Sequence, residues 1–202
     1  MKLICIGRNY VKHIEELGNE KPESPIIFLK PDSALIKNNE PFYYPDFSTD
    51  IHYEVEVLVK IKKVGKSIPV NFAHKYYDEI GLGIDLTARD LQTKAKAKGL
   101  PWDLAKGFNG SAPISNFISK STFNVQDLNF SLELNGTLVQ SSNTSLMLWS
   151  IDEIIAYVSQ YMTLKKGDIL FTGTPEGVGP IKIGDQLQGF IESQNMFDFE
   201  IR

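Results

Sequence analysis

The sequence is poor in cysteine and histidine, with one cysteine, Cys5, and three histidines in 202 residues. A single thiol excludes a disulfide within the chain and fits a reducing compartment. So few cysteine and histidine side chains also cannot convincingly assemble a zinc site of the usual nitrogen and sulfur ligands. We therefore expect a cytoplasmic protein.

Two further absences narrow the class of protein. No window approaches the about 20 apolar residues of a membrane-spanning helix, and the apolar run from Leu3 to Ile6 is too short for a signal-peptide core. There is no basic stripe either, because the net charge is −4 and both signs are spread along the chain. The sequence thus predicts a protein that binds neither a membrane nor nucleic acid.

The composition is that of a folded protein, with 42% hydrophobic and 23% charged residues. No linker or low-complexity tract divides the chain, so we predict one domain over residues 1–202. Helices are predicted at about 10–17, 88–98 and 151–161. The first would be capped by Asn9, and the second by a capping box of Thr87 and Asp90. Strands are predicted at 26–30, 53–61, 80–85, 129–134, 168–172 and 186–192, which makes the fold class α+β and rich in strands.

The strand at 53–61 contains the most informative pattern. Its valines and isoleucine alternate with other residues, so Glu54 and Glu56 lie together on the opposite face. Neighbouring side chains on one strand face are ~6–7 Å apart, and two carboxylates that close repel unless water or a cation separates them. A solvated strand face is the simplest interpretation of the pair alone.

Asp85 could complete a three-carboxylate site with this pair, because it ends the next predicted strand just before a helix. Taken alone, Asp85 could equally serve in a turn or as a cap. Ligands that are all oxygen favour Mg²⁺ or Mn²⁺, and Ca²⁺ less.

Other residues could supply reactive or binding groups. His13 and Glu16 share a helix face, where the carboxylate could orient the imidazole as a general base, although a surface pair is the alternative. Arg89 and Gln92 are also three apart and could bind a substrate carboxylate, or could lie on an ordinary exposed face. Lys106 is flanked by apolar and small residues, so it could stabilise an anion or extend from a loop into solvent.

The segment 172–180 reads Thr-Gly-Thr-Pro-Glu-Gly-Val-Gly-Pro. Its backbone amides and the Thr174 hydroxyl could bind an oxyanion, or the segment could be a wide structural turn. It is not a phosphate-binding loop, because no Gly-Lys-Ser/Thr follows the glycines.

Taken together, these motifs resemble the fumarylacetoacetate hydrolase family over nearly the whole chain, from residue 4 to about 192. The resemblance is closest to the short, single-domain branch. The motifs that carry it are Gly7-Arg8-Asn9-Tyr10 with His13 and Glu16, Phe28-Leu29-Lys30-Pro31, Glu54-x-Glu56, the segment from Gly83 to Gln92, Ala105-Lys106-Gly107-Phe108 and residues 172–180.

The resemblance implies a role for each matching residue. It makes Glu54, Glu56 and Asp85 the ligands of Mg²⁺ or Mn²⁺, and His13 and Glu16 a dyad that activates water. Residues 9–20 would form a lid segment that carries the dyad. Lys106 would lie near the metal, and substrate contacts would come from Arg8, Arg89, Gln92 and Thr174.

The same resemblance implies a layered β-sheet roll with outer helices, in a homodimer. The implied activity is hydrolysis of a carbon–carbon bond in a small 1,3-dicarbonyl 2-oxo acid of the acylpyruvate or fumarylpyruvate type. Oxaloacetate decarboxylation and isomerisation of a 2-hydroxyhepta-2,4-diene-1,7-dioate-type substrate remain open. The non-enzymatic alternatives are a module that binds a metal-chelated oxo acid, or a structural β protein. Tyr53 and Asn109 depart from the family pattern, which bears on the choice of substrate.

Overall fold

The computed structural model describes residues 1–202 and consists mainly of strands. The longer strands are β1 (Leu3–Gly7), β2 (Ile26–Lys30), β4 (Ile51–Tyr53), β5 (Val55–Ile61), β6 (Tyr77–Ile84), β10 (Asn129–Leu134), β11 (Thr137–Asn143), β12 (Ile169–Phe171), β14 (Gln186–Ile191) and β15 (Gln194–Glu200). Two-residue strands are β3 (Leu35–Ile36), β7 (Thr87–Ala88), β8 (Ala112–Pro113), β9 (Ile118–Ser119) and β13 (Gly179–Pro180). The helices are α1 (Val11–Glu16), α2 (Val70–Ala73), α3 (Arg89–Ala97), α4 (Asp103–Lys106) and α5 (Ile151–Tyr161).

The largest sheet has six strands in the order β2-β1-β12-β5-β6-β9. β1 and β12 are parallel, whereas the other neighbours are antiparallel, so the sheet is mixed. A second sheet has the order β11-β10-β14-β15, and two small sheets contain β13-β4-β7 and β3-β8. This layered arrangement confirms the strand-rich α+β fold class predicted from the sequence.

The alternation along β5 places its apolar side chains in two parts of the core. Val55 and Val57 belong to the largest apolar cluster, together with side chains of the second sheet such as Phe130 and Leu187. Val59 and Ile61 belong to a second cluster that α5 covers. The opposite face of β5, which carries the two glutamates, is therefore left for the site.

The three predicted helices are present at the predicted places, but two of their predicted caps are wrong. α1 has no side-chain cap, because the Asn9 amide instead donates to the carbonyl of Thr172, at 2.8 Å, and to that of Trp149. α3 has none either, since the Thr87 hydroxyl donates to the carbonyl of Asp85. No helix has the length and apolar character needed to cross a bilayer.

Candidate active site

The three predicted carboxylates meet at one point because of strand pairing. Glu54 directly precedes β5 and Glu56 is its second residue, and β6 pairs antiparallel with β5 so that Glu56 lies opposite Gly83. Asp85 follows directly, and its amide donates to the carbonyl of Glu54 at 2.8 Å. One oxygen from each of the three carboxylates lies within 4.8 Å of the others. All three side chains are buried, so the interpretation of the glutamates as a solvated strand face is wrong.

The three carboxylates have unequal partners. Glu54 pairs with Lys106 at 2.8 Å and with Arg89 at 2.5 Å. Asp85 pairs with Lys106 at 2.6 Å and with Lys30 at 2.7 Å. Glu56 contacts no cationic side chain and accepts one hydrogen bond, from the Gly173 amide at 2.7 Å.

These partners move the pKa values in opposite directions. Burial alone would raise the pKa of Glu54, but Lys106 and Arg89 outweigh it and hold that pKa well below its usual range. Burial raises the pKa of Glu56 well above its usual value, and the neighbouring Asp85 raises it further. Burial opposes the charge on Lys106, but Asp85 and Glu54 reverse the effect and raise its pKa. Glu56 is thus the one carboxylate of the three that has no cationic partner.

The donor set fits a hard divalent cation. It consists of three converging carboxylates with no sulfur ligand, the kind of site that Mg²⁺ and Mn²⁺ prefer. The burial of Glu56 without a cationic partner is the observation that supports this fit, because an ionised buried carboxylate is unfavourable unless it is paired.

His13 and Glu16 lie on α1, with His13 Nδ1 3.3 Å from Glu16 Oε2. The other Glu16 oxygen accepts a hydrogen bond from the Gly177 amide at 3.0 Å, which ties α1 to the segment 172–180. Burial lowers the pKa of His13, against the opposing effects of Glu54 and Glu16, and this favours the neutral ring. A buried, oriented and neutral imidazole is suited to accept a proton.

His13 and the carboxylates line one narrow cleft with a cavity volume of about 40 Å³. The structure brings all the sequence-predicted site residues except Glu16 into its lining; Glu16 lies behind His13. The predicted residues in the lining are Arg8, His13, Glu54, Glu56, Asp85, Arg89, Gln92, Lys106 and Thr174. Lys96, Asn19 and Trp102 also line the cleft, and no sequence pattern indicates them.

Hydrogen bonds to neighbouring side chains hold Arg89 and Arg8, two of the residues predicted to contact the substrate. Arg89 donates to the Gln92 side chain at 2.7 Å, so the two act as one unit on the first turn of α3. Arg8 has a φ of 59°, a conformation that is uncommon for residues other than glycine, and donates to Asn19 at 2.8 Å. Backbone strain of this kind is often found at functional sites, where it aims a side chain.

Sequence reasoning missed the function of Lys30, although it lies in one of the motifs. Lys30 is 2% exposed at the end of β2. Its ammonium group contacts Asp85, the carbonyls of Leu86 and Lys106, and both the carbonyl and the hydroxyl of Ser111. Lys30 therefore holds Asp85 in place from outside the lining of the cleft.

Comparisons with known proteins find similar sequences and structures. The family described as fumarylacetoacetate (FAA) hydrolase C-terminal matches residues 2–202. The mitochondrial oxaloacetate decarboxylase of Dictyostelium discoideum is 42% identical, over 100% of this chain and 94% of its own length. The mitochondrial oxaloacetate tautomerase FAHD1 of Bos taurus is 40% identical, over 98% and 90%. The crystal structure of fumarylpyruvate hydrolase from Pseudomonas aeruginosa, in complex with Mn²⁺ and pyruvate, has a TM-score of 0.94 and 33% identity, over 100% and 89%.

Proposed function

This chain belongs to the fumarylacetoacetate hydrolase family, and we propose that it is a metal-dependent enzyme that acts on a small 2-oxo acid through its enolate. The observation that carries the proposal is the convergence of a carboxylate triad and a buried His–Glu dyad on one cleft. A module that only binds an oxo acid would not need the dyad. A structural β protein would need neither group.

Glu54, Glu56 and Asp85 would hold the cation. Mg²⁺ or Mn²⁺ suits three carboxylates better than Ca²⁺, which takes more ligands. The Mn²⁺ of the Pseudomonas aeruginosa enzyme supports this assignment. When bound, the cation would act as a Lewis acid that polarises the 2-oxo carbonyl group.

The first candidate reaction is hydrolysis of the carbon–carbon bond of an acylpyruvate. Arg89, Gln92 and Thr174 would orient the substrate carboxylate. His13, held by Glu16, would take a proton from water, and the resulting hydroxide would attack the distal carbonyl. Breakage of the carbon–carbon bond would leave the pyruvate enolate, whose negative charge Lys106 would stabilise.

The second candidate is interconversion of the enol and keto forms of oxaloacetate, with decarboxylation as a related activity. The names of the relatives from Bos taurus and Dictyostelium discoideum favour it. In this reaction His13 would move a proton at the carbon next to the 2-oxo group, and no water would be needed. Lys106 would again stabilise the enolate.

We also propose three further features of this protein. Residues 9–20 would act as a lid, because α1 carries His13 at the cleft and is attached to the opposite wall by the bond between Glu16 and Gly177. The protein would form a homodimer and act in the cytoplasm.

The test uses protein stripped with EDTA and restored with Mg²⁺ or Mn²⁺. Pyruvate release from acetylpyruvate and fumarylpyruvate measures hydrolysis, and the ultraviolet absorbance of the enol measures oxaloacetate tautomerisation. We expect metal-dependent activity on at least one substrate, lost in His13→Ala and kept in the exposed control His74→Ala. Full activity after complete removal of metal would refute the proposal.

A further inference from the structure

We infer that Gln140 is a positioning residue that sets the direction of the Thr174 hydroxyl hydrogen and holds the segment 172–180 against the active site; its effect on ligand binding rests on the proposed function. Gln140 is 2% exposed on β11, in the second sheet, and does not line the cleft. It therefore acts on the ligand only through other residues.

The side-chain amide of Gln140 connects the two parts of the site. Its oxygen accepts a hydrogen bond from the Val55 amide at 2.9 Å, between the two glutamates of β5. Its nitrogen donates to Thr174 Oγ1 at 3.0 Å and to the Pro175 carbonyl at 3.1 Å. A backbone N–H can only donate and a carbonyl can only accept, so these partners fix which end of the amide is oxygen.

This orientation determines what Thr174 can do. A hydroxyl has one hydrogen, and because the Gln140 N–H points at the Thr174 oxygen, the hydroxyl hydrogen must point elsewhere. Thr174 lines the cleft and donates to no protein acceptor. Its hydrogen is therefore free to donate to an oxygen of a bound oxo acid. An amide turned the other way would make Thr174 the donor to Gln140 and would remove that contact.

Gln140 also lies between the two backbone amides that reach the reactive carboxylates. The Gly173 amide donates to Glu56, and the Gly177 amide donates to Glu16. Gly177 has a φ of 92° and lies against the carbonyl of Val139, where a Cβ atom would collide with it. Strand β11 thus fixes the Gly177 end of this part of the segment through Val139, and the Gln140 amide fixes its middle.

The matched variants are Gln140→Met, which keeps the shape but removes both the donor and the acceptor, and Gln140→Glu, which keeps the acceptor for the Val55 amide but places an acceptor opposite two oxygens. Thr174→Val removes the hydroxyl, and Thr174→Ser keeps it. Gln160→Glu, on the exposed face of α5, controls for the added charge. The probe is oxalate with saturating Mg²⁺, and its Kd is measured by calorimetry.

We expect Gln140→Met and Thr174→Val each to weaken oxalate binding by roughly 10- to 100-fold, the effect of one hydrogen bond to a charged group. The double variant should bind no more weakly than the weaker single variant, because both changes remove the same contact. Thr174→Ser should recover most of the binding that Thr174→Val loses, and Gln160→Glu should bind like the wild type. Additive losses in the double variant, or unchanged binding in Gln140→Met, would overturn the inference.

Hydrogen exchange of the peptides that cover 172–180 gives a second measure that needs no ligand. Gln140→Met and Gln140→Glu should exchange faster there than the wild type, whereas Gln160→Glu should not. Unchanged exchange in both Gln140 variants would overturn the positioning role even if the wild type failed to bind oxalate. Failure of the wild type to bind would instead count against the proposed function.

Discussion

Two neighbouring glutamates should respond in opposite ways to the loss of their charge. Glu54→Gln removes a carboxylate that is paired with Lys106 and Arg89, whereas Glu56→Gln removes one that contacts only a backbone amide. In metal-free protein we expect Glu54→Gln to destabilise the fold and Glu56→Gln to leave its stability unchanged or higher. With Mg²⁺ present, both variants should lose the stabilisation that the cation gives to the wild type.

The magnitudes follow from burial and pairing. Removing one partner of a buried ion pair costs about 3–5 kcal/mol, and the partial exposure of Arg89 places Glu54→Gln near the lower end. For a chain of this length, that is a fall in Tm of roughly 6–12 °C. Mg²⁺ at a hundredfold excess over its Kd adds about 2.7 kcal/mol to the wild type, or a rise of roughly 5–11 °C.

The pH dependence of the metal-free protein separates the two variants further. The pKa of Glu56 is raised in the fold, so the folded state keeps a proton that the unfolded chain releases near pH 4.3. Glu56 therefore makes the metal-free wild type less stable as the pH rises above that value, and Glu56→Gln should remove this decline. The opposite holds for Glu54, whose lowered pKa contributes stability that is lost as the pH falls below about 4.3.

The assay is thermal unfolding of both variants after EDTA treatment and again in Mg²⁺, between pH 4 and 8. The control is the exposed Glu192→Gln, whose small effect should not depend on the metal. If Glu56→Gln unfolds as early as Glu54→Gln without metal, the electrostatic reasoning is wrong. If either variant keeps the full response to Mg²⁺, that carboxylate is not a ligand.

The remaining predictions concern the His13–Glu16 dyad, Lys30 and the segment 172–180. His13→Ala should lower kcat by roughly 10²–10⁴-fold and keep the Mg²⁺-dependent rise in Tm, because it removes a base and no ligand. The pKa of His13 is lowered by burial, so kcat/KM should fall only as the pH drops below about 6.5, and an acid limb centred above that pH would contradict the assignment. Lys30→Met should cost about 3–5 kcal/mol in urea unfolding of the metal-free protein, because it leaves Asp85 with one cation fewer. Gly173→Ala should weaken Mg²⁺ binding measured by calorimetry. The residue has a φ of 101°, and a Cβ atom there would lie 2.7 Å from Cβ of Asn9. Unchanged affinity would show that the segment can adjust.

The parts of the fold that could be predicted are those with a strong local pattern. Helix α5 matches its predicted range, 151–161, because its apolar residues repeat at helical spacing, and Ser150 and Glu153 form a true capping box there. Strands β1, β11 and β15 were not predicted. β11 is an edge strand whose one buried residue is Gln140, so its sequence carries no apolar alternation to detect.

In the site, too, pairs of residues close in sequence could be predicted, whereas contacts between residues distant in sequence could not. The spacing of Glu54 and Glu56 and of His13 and Glu16 is local, and the structure places each pair together as expected. The partners of Lys30 are 55 to 81 residues away along the chain and those of Gln140 are 34 to 85 residues away, so nothing near either residue in the sequence indicates them. The wrong cap at Asn9 has the same origin, because its side chain bonds Thr172, which is 163 positions away.

On the proposed function, the balance of charge in the cleft would favour an enolate over its keto acid. When all three carboxylates are ionised, as they would be around a bound cation, their charge is balanced by three cationic side chains, Lys30, Lys106 and Arg89. A divalent cation would raise the charge of this cluster to about +2. A 2-oxo acid with one carboxylate brings one negative charge in its keto form and two as the enolate. The cluster is therefore neutralised only when the enolate has formed, and such an interaction, stronger in the activated species than in the substrate, is what accelerates a reaction.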